Sequence, residues 1–133
     1  MTDSAETPAA QLTTPFKITR HENFESWYAN NIQMYPTDFD LRMVFGELDV
    51  PTMTVQQHTA MTVSWLQVKL MHYYLSVQLG AHELMYGKIA VPQSSIPAPT
   101  QPPTGELADD PGNFKLYEYI KSMQEQFVTS LSE

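Results

Sequence analysis

Apolar and polar residues alternate most regularly between Asp38 and Phe45. The apolar positions recur at every second residue and are Phe39, Leu41, Met43 and Phe45. A period of two is typical of a β-strand with one buried face. We therefore predict a strand over residues 38–45 that points these four side chains inward and ends at Gly46.

Weaker patterns flank this strand on both sides. Residues 25–34 are rich in β-forming side chains and stop before Pro36, which fixes φ and removes a hydrogen-bond donor. Residues 54–63 form the third predicted strand. Its inward side chains are Val55, Met61 and Val63. Because consecutive strands usually pair with each other, we predict a three- to four-stranded antiparallel meander, with an optional edge strand near Phe16.

The clearest local signal is a helix start at Ser64. Gln67 follows three residues later, which is the spacing of a capping box. Gly87 can take the left-handed conformation that closes many helices, and Pro92 prevents the helix from continuing. We therefore predict a long helix from Ser64 to about Tyr86.

Composition changes along the chain and divides it into four predicted segments. Residues 1–15 are small and polar and are predicted to be a disordered leader. Residues 16–92 form the meander-plus-helix domain. Residues 93–110 are a mobile, proline-rich linker, and residues 111–133 are an amphipathic C-terminal helix that begins at Asp110-Pro111 or Asn113. The predicted fold class is therefore α+β.

The long helix has two apolar faces when its residues are projected at about 100° each. The first face contains Leu66, Leu70, Tyr73, Val77, Ala81 and Leu84. The second face is the predicted interface and contains Val68, Met71, Leu75, Leu79 and Tyr86. A three-stranded sheet can cover one face, and exposed apolar patches usually mark interfaces. We therefore predict a homo-oligomer, a dimer or a tetramer. The alternatives are a C-terminal helix that folds back, or a helix fully buried in a monomer.

Charge and composition exclude several classes of partner. The formal net charge is −8, and the seven basic residues are scattered along the sequence. Nucleic acids and anionic membranes need clustered basic side chains, so neither is a predicted partner. The sequence contains no cysteine, shows no signal peptide and has no long apolar run. We therefore expect a cytoplasmic protein.

Titratable residues do not form a recognisable catalytic motif. The four histidines lack the spacing of a metal site, whether His-x3-His or His-x-x-Glu-His. Asp38 and Asp40 share one face of the predicted strand, about 7 Å apart, and could hold a cation or act as an acid/base pair. A solvated strand face with a local pair to Arg42 is the favoured interpretation. No catalytic, cofactor-binding or metal residue is predicted.

The order of short motifs between residues 25 and 92 resembles a small bacterial family, the domain-of-unknown-function family numbered 3467. The matching residues are Tyr28-Ala29-Asn30, Asp38-Phe39, Leu41, Phe45-Gly46, Val63-Ser64, Gln67, Lys69, Tyr86-Gly87, Ile89 and Pro92. The chain departs from the family pattern at Trp65, where a proline is expected, and at Val68, where a small residue is expected. The resemblance implies a small strand-then-helix domain and brings no activity or catalytic residues with it.

A second resemblance is to the SecB-like export chaperones. Strands, a long helix, a proline-rich crossover and the run Pro111-Gly112-Asn113-Phe114 occur in a similar order. This resemblance implies an acidic cytoplasmic oligomer that holds unfolded chains.

Three functions follow as hypotheses. The first is a non-enzymatic protein-interaction module that acts as a small oligomer. The second is a chaperone-like holder of unfolded client proteins. The third, an enzyme or metal protein centred on Asp38, Asp40 or the histidines, lacks a supporting motif, so we predict that the protein is not an enzyme.

Overall fold

The computed structural model describes residues 16–133, and the predicted leader at residues 1–15 lies outside the described residues. The described chain contains three strands and two long helices. They are β1 (Asn31–Pro36), β2 (Asp40–Asp49), β3 (Thr54–Ser64), α1 (Trp65–Tyr86) and α2 (Pro111–Ser130). Two short 3-10 helices, Gln93–Ser95 and Gly105–Asp109, lie between α1 and α2. The predicted α+β class is confirmed, with a three-stranded antiparallel sheet, a long helix and a second C-terminal helix.

The chain divides into two compact units, one up to Lys69 and the other from Leu70 onward. The first unit contains the sheet and the first turn of α1. The second contains the rest of α1 and all of α2. None of the helices among residues 16–133 is long and apolar enough to cross a membrane.

The sheet is built around β2, which pairs antiparallel with β1 on one side and β3 on the other. Met43 lies opposite Met34 of β1 and Met61 of β3. Because directly opposite residues point to the same face, these methionines share one face of the sheet. The paired strands therefore gather the apolar positions that the period-two pattern predicted.

Burial is concentrated at the centre of β2. Leu41, Met43 and Val44 are the buried apolar side chains among the described residues. Val44 points to the opposite face of the sheet from Met43 and is buried as well. Phe39 was predicted to point inward, and it is 83% exposed because it lies in the turn between β1 and β2. The predicted start of this strand at Asp38 was therefore two residues early.

Strand β1 begins six residues later than the predicted strand over residues 25–34. The cause is Asn30, whose side-chain Oδ1 accepts a hydrogen bond from Leu48 N at 2.7 Å. The Asn30 backbone N–H still donates to the Gly46 carbonyl, at 3.1 Å. A side-chain oxygen thus occupies the position of a backbone acceptor, and the regular ladder ends there. Residues 16–29 contain no strand, so the optional edge strand near Phe16 is not formed in the described part of the chain.

Gly46 lies inside β2 and does not end it, contrary to the prediction. The pairing with β3 shifts between Phe45, opposite Thr59, and Gly46, opposite Gln57. His58 is therefore the extra residue of a β-bulge. A Cβ atom added to Gly46 would lie 2.7 Å from the Gln56 carbonyl oxygen, so the strand can pass the bulge only with a glycine.

Helix α2 begins where the sequence predicted. The Asp110 side chain accepts a hydrogen bond from Gly112 N at 2.9 Å, and Pro111 occupies the first turn. Proline is well suited to this place because its missing N–H would have no partner there. Asn113 Nδ2 also donates to the Leu107 carbonyl at 2.8 Å, which joins the start of α2 to the preceding 3-10 helix.

Candidate functional site

The long helix α1 is the main candidate site, and its two ends are fixed by local contacts. Ser64 Oγ accepts a hydrogen bond from Gln67 N at 3.2 Å, as the capping box predicts. Trp65 Nε1 donates to the Thr37 carbonyl at 3.0 Å, so the indole ties the helix start to the hairpin. The helix bounds, Trp65–Tyr86, confirm the predicted ones.

The C-terminal end of α1 is closed by a glycine and a carboxylate. Gly87 has a φ of 91°, which is the left-handed conformation that the sequence predicted for it. Its N–H donates to the Glu83 carbonyl at 2.9 Å. The Glu83 side chain reaches forward, and its Oε2 accepts from Ile89 N at 2.8 Å. The end of the helix is thus held by both the backbone and the side chain of one residue.

The predicted interface residues follow one side of α1, and no residue of this helix is buried. Leu75 is 61% exposed, Leu79 is 52% exposed and Tyr86 is 79% exposed. Val68 and Met71 are half-buried. We name these five residues the interface face. The helix therefore presents a continuous apolar strip whose largest side chains contact water.

The first apolar face of α1 is exposed as well. Its large side chains are each more than two fifths exposed: Leu66, Leu70, Tyr73, Val77 and Leu84. We predicted that one face of this helix is covered, and no residue of α1 is buried.

A narrow polar stripe separates the two faces along one side of α1. Its members are Lys69, His72, Ser76, Gly80 and Glu83. Ser76 Oγ donates to the His72 carbonyl at 2.8 Å, so this hydroxyl has a partner within the helix. Lys69 and Glu83 are the one lysine and the one glutamate of the helix, which has no arginine or aspartate.

The candidate acidic pair, Asp38 and Asp40, is part of the hairpin between β1 and β2. Asp38 lies in the turn and Asp40 begins β2, so the two do not share a strand face as predicted. Asp40 Oδ1 accepts from Thr37 Oγ1 at 2.8 Å, and Thr37 Oγ1 in turn accepts from the backbone N–H groups of Phe39 and Asp40. These groups are used to form the turn.

One histidine has a structural role that the sequence did not reveal. His58, the bulged residue, stacks on Trp27 with ring centroids 4.7 Å apart. Its Nε2 lies 2.8 Å from the Tyr28 carbonyl and its Nδ1 lies 2.8 Å from Thr59 Oγ1. A bulge leaves no signal in single-residue patterns, so the sequence could not reveal this role.

The other titratable side chains are dispersed over the structure. Between residues 16 and 133, no group of three histidine, aspartate or glutamate side chains is close enough to hold a metal ion. His82 lies near Tyr86, with ring centroids 5.0 Å apart.

The proline-rich segment forms a second candidate site with α2. Gln124 Nε2 donates to the carbonyls of Pro97 and Ala98 at 2.8 and 2.7 Å, and its Oε1 accepts from Thr100 N at 3.1 Å. An open cleft of about 720 Å³ lies beside this clamp, lined in part by Lys121 and Val128. Residues 93–110 were predicted to be a mobile linker, and no pattern in the sequence indicates these contacts of Gln124.

Comparison with known proteins adds no relative: no family model, no curated protein and no solved structure matches this chain.

Proposed function

We propose that this chain is a non-enzymatic protein-interaction module that acts as a small homo-oligomer, with the interface face of α1 covered by a second copy. The observation that carries the proposal is a helix of 22 residues with no buried residue. Most surface helices of globular proteins bury one apolar stripe. A helix whose apolar residues all contact water fits a subunit that is completed by another.

The energetics favour covering this face. Burying a large apolar side chain stabilises a protein by about 1.5–3 kcal/mol. Within residues 16–133, Leu41, Met43 and Val44 are the buried apolar side chains. Such a core is small, and small domains often depend on a partner subunit. Burial of Leu75, Leu79 and Tyr86 in an interface would add apolar contacts of the kind that the single chain has in short supply.

A second copy of the chain is suited to cover the interface face because helix α1 has no net charge. The chain has a formal net charge of −8, and two such chains repel each other in general. Helix α1, however, has one Lys and one Glu, so its own net charge is zero when histidines are neutral. The acidic surface lies elsewhere, and self-association through α1 avoids it. The absence of cysteine suits a cytoplasmic setting for such an oligomer.

Sedimentation velocity tests the proposal. The wild-type chain should sediment as a dimer or tetramer at micromolar concentration. Leu75→Glu combined with Leu79→Glu places charges in the apolar contact and should give monomers, or unfolded chains if the monomer is unstable alone. A matched control is Gln67→Glu with Gln78→Glu, which adds the same charge to the same helix outside the interface face and should leave assembly intact. A monomeric wild type contradicts the proposal.

A chaperone-like function is the second candidate, and exposed methionines favour it. Methionine side chains are flexible and suit surfaces that bind varied partners. The exposed ones are Met34, Met53, Met61, Met85 and Met123. Under this alternative, the protein should suppress aggregation of a chemically unfolded model protein at stoichiometric ratio. A homo-oligomeric interaction module without client binding should leave that aggregation unchanged.

A further inference from the structure

We infer that two copies of α1 pair in antiparallel orientation about a two-fold axis at Ser76, so that Lys69 of each copy faces Glu83 of the other. This inference rests on the proposed function in taking a second copy as the partner. It adds the orientation and the register of the two helices.

The charge pattern of α1 is the first observation. Lys69 and Glu83 are the one lysine and the one glutamate of a helix that has no arginine or aspartate, and fourteen residues separate them. At a rise of 1.5 Å per residue, they lie about 21 Å apart along the axis, too far to contact each other within one helix. Fourteen residues are also two heptads, so both side chains lie on the same side of the interface face.

The position of Ser76 makes this pattern self-complementary. Ser76 lies midway, seven residues from Lys69 and seven from Glu83. In a two-fold antiparallel pair centred there, each lysine faces the partner's glutamate. In a parallel pair in register, a side chain on one flank of the contact faces the other flank of the partner, so Lys69 of one copy and Glu83 of the other would not meet. The charges therefore select the antiparallel arrangement.

The side chains near the axis are suited to being covered. Leu75 is next to Ser76 and Leu79 is one turn further along, so the exposed leucines of the interface face lie at the centre of the contact. The Ser76 hydroxyl already donates to the His72 carbonyl, so covering it leaves no unpaired donor. Glu83 is held by Ile89 N through Oε2, which leaves its other carboxylate oxygen for the partner's Lys69.

Charge exchange is the first test, with the dimer dissociation constant measured by sedimentation equilibrium at low salt. Lys69→Glu should raise the dissociation constant about tenfold, because two attractive contacts become repulsive. Adding Glu83→Lys to Lys69→Glu should restore it to within about threefold of wild type. Glu83→Gln is the control for the helix end, because it removes the charge and keeps an acceptor for Ile89 N. Since the two positions cannot meet within one helix, rescue by the double exchange requires a contact between copies. If Lys69→Glu does not change the dissociation constant, the inference is wrong.

Cross-linking is the second test, and the cysteine-free chain suits it. Ser76→Cys lies on the proposed axis, so a short thiol–thiol cross-linker should join two copies efficiently. In this arrangement, the cysteine of Lys69→Cys lies about 21 Å along the axis from the same cysteine of the second copy. The cross-linker should therefore not join them. Absence of cross-linking at Ser76→Cys indicates that α1 does not pair in this orientation, and efficient cross-linking of Lys69→Cys indicates a different register. Either result overturns the inference while a dimeric wild type preserves the proposed function. A monomeric wild type overturns both.

Discussion

Gly46 and His58 show how much one residue can determine in a small sheet. His58 adds one residue to β3, and Gly46 on β2 lies directly against the backbone of β3. The sequence suggested that Gly46 ends its strand, because glycine is depleted in strands and common in turns. Glycine is also required where two backbones approach closely, and the sequence pattern could not distinguish the two uses.

We predict that Gly46→Ala destabilises the protein by about 1–3 kcal/mol, the usual range for forcing atoms into a filled site. The added Cβ would lie 2.7 Å from the Gln56 carbonyl oxygen, so part of the ladder between β2 and β3 must shift. Chemical denaturation of wild type and variant measures the effect. Gly80→Ala is the matched control, because a Cβ added there meets nothing within 4 Å of the same chain. An equal midpoint for Gly46→Ala and wild type would contradict the bulge geometry.

At the scale of elements, the long helix was the part of the fold that the sequence determined best. Both of its ends depend on local contacts, namely the Ser64 cap and the left-handed Gly87, and such contacts have fixed sequence spacing. The start of β1 depends instead on the Asn30 side chain, which contacts Leu48 eighteen residues later. A contact between residues so distant in sequence has no fixed spacing, so no local pattern could predict it.

The helix cap provides a prediction for α1. Ser64→Ala removes the acceptor for Gln67 N and should lower the free energy of unfolding by about 1 kcal/mol. The denaturation midpoint measures it. Ser130→Ala is the control, because its hydroxyl donates back to the Phe127 carbonyl within α2, an interaction of the kind that slightly destabilises helices. If both variants have the same stability, the cap does not contribute to holding the helix start.

The clamp on the proline-rich segment provides a prediction for the region before α2. Gln124→Leu removes three hydrogen bonds, each worth about 0.5–1.5 kcal/mol, and should release residues 97–100. Limited proteolysis should then cut within residues 93–103 at least about tenfold faster than in wild type. Gln126→Leu is the control, since Gln126 bonds to Ser122 within the same helix. Equally fast cutting of wild type and Gln124→Leu would show that the segment is mobile despite the clamp, as the sequence predicted.

At the scale of the whole molecule, the sequence identified apolar faces but not what covers them. The period of 3.6 residues places Leu75 and Leu79 together on any helix, whatever its surroundings. Whether these side chains meet a second copy, a client protein or water depends on contacts beyond one chain. The five residues of the interface face thus remain a predicted interface, and their exposure on α1 is the structural observation that supports it.

If the protein is an oligomer, we predict that its stability against denaturation increases with protein concentration. If folding and association are coupled, the free energy of unfolding of the dimer to two unfolded chains rises by about 1.4 kcal/mol for each tenfold increase in concentration. The denaturation midpoint of wild type should rise accordingly between 1 and 100 μM, values on the order of those used for such titrations. The Leu75→Glu/Leu79→Glu variant should show no such rise. A wild-type midpoint independent of concentration would indicate a monomer that folds alone.

The bulge in β3 has a consequence for how this sequence can change over evolutionary time. The extra residue at position 58 distorts the ladder between β2 and β3 and brings the two backbones close together at position 46. A glycine is needed at position 46 only because of this distortion. A lineage that loses the extra residue of β3 no longer needs a glycine at position 46. In a lineage that loses the glycine first, the new side chain at position 46 clashes with the backbone of β3. Homologues should therefore gain or lose the two features as a pair, and an alignment in which glycine at position 46 varies independently of the length of β3 would refute this linkage.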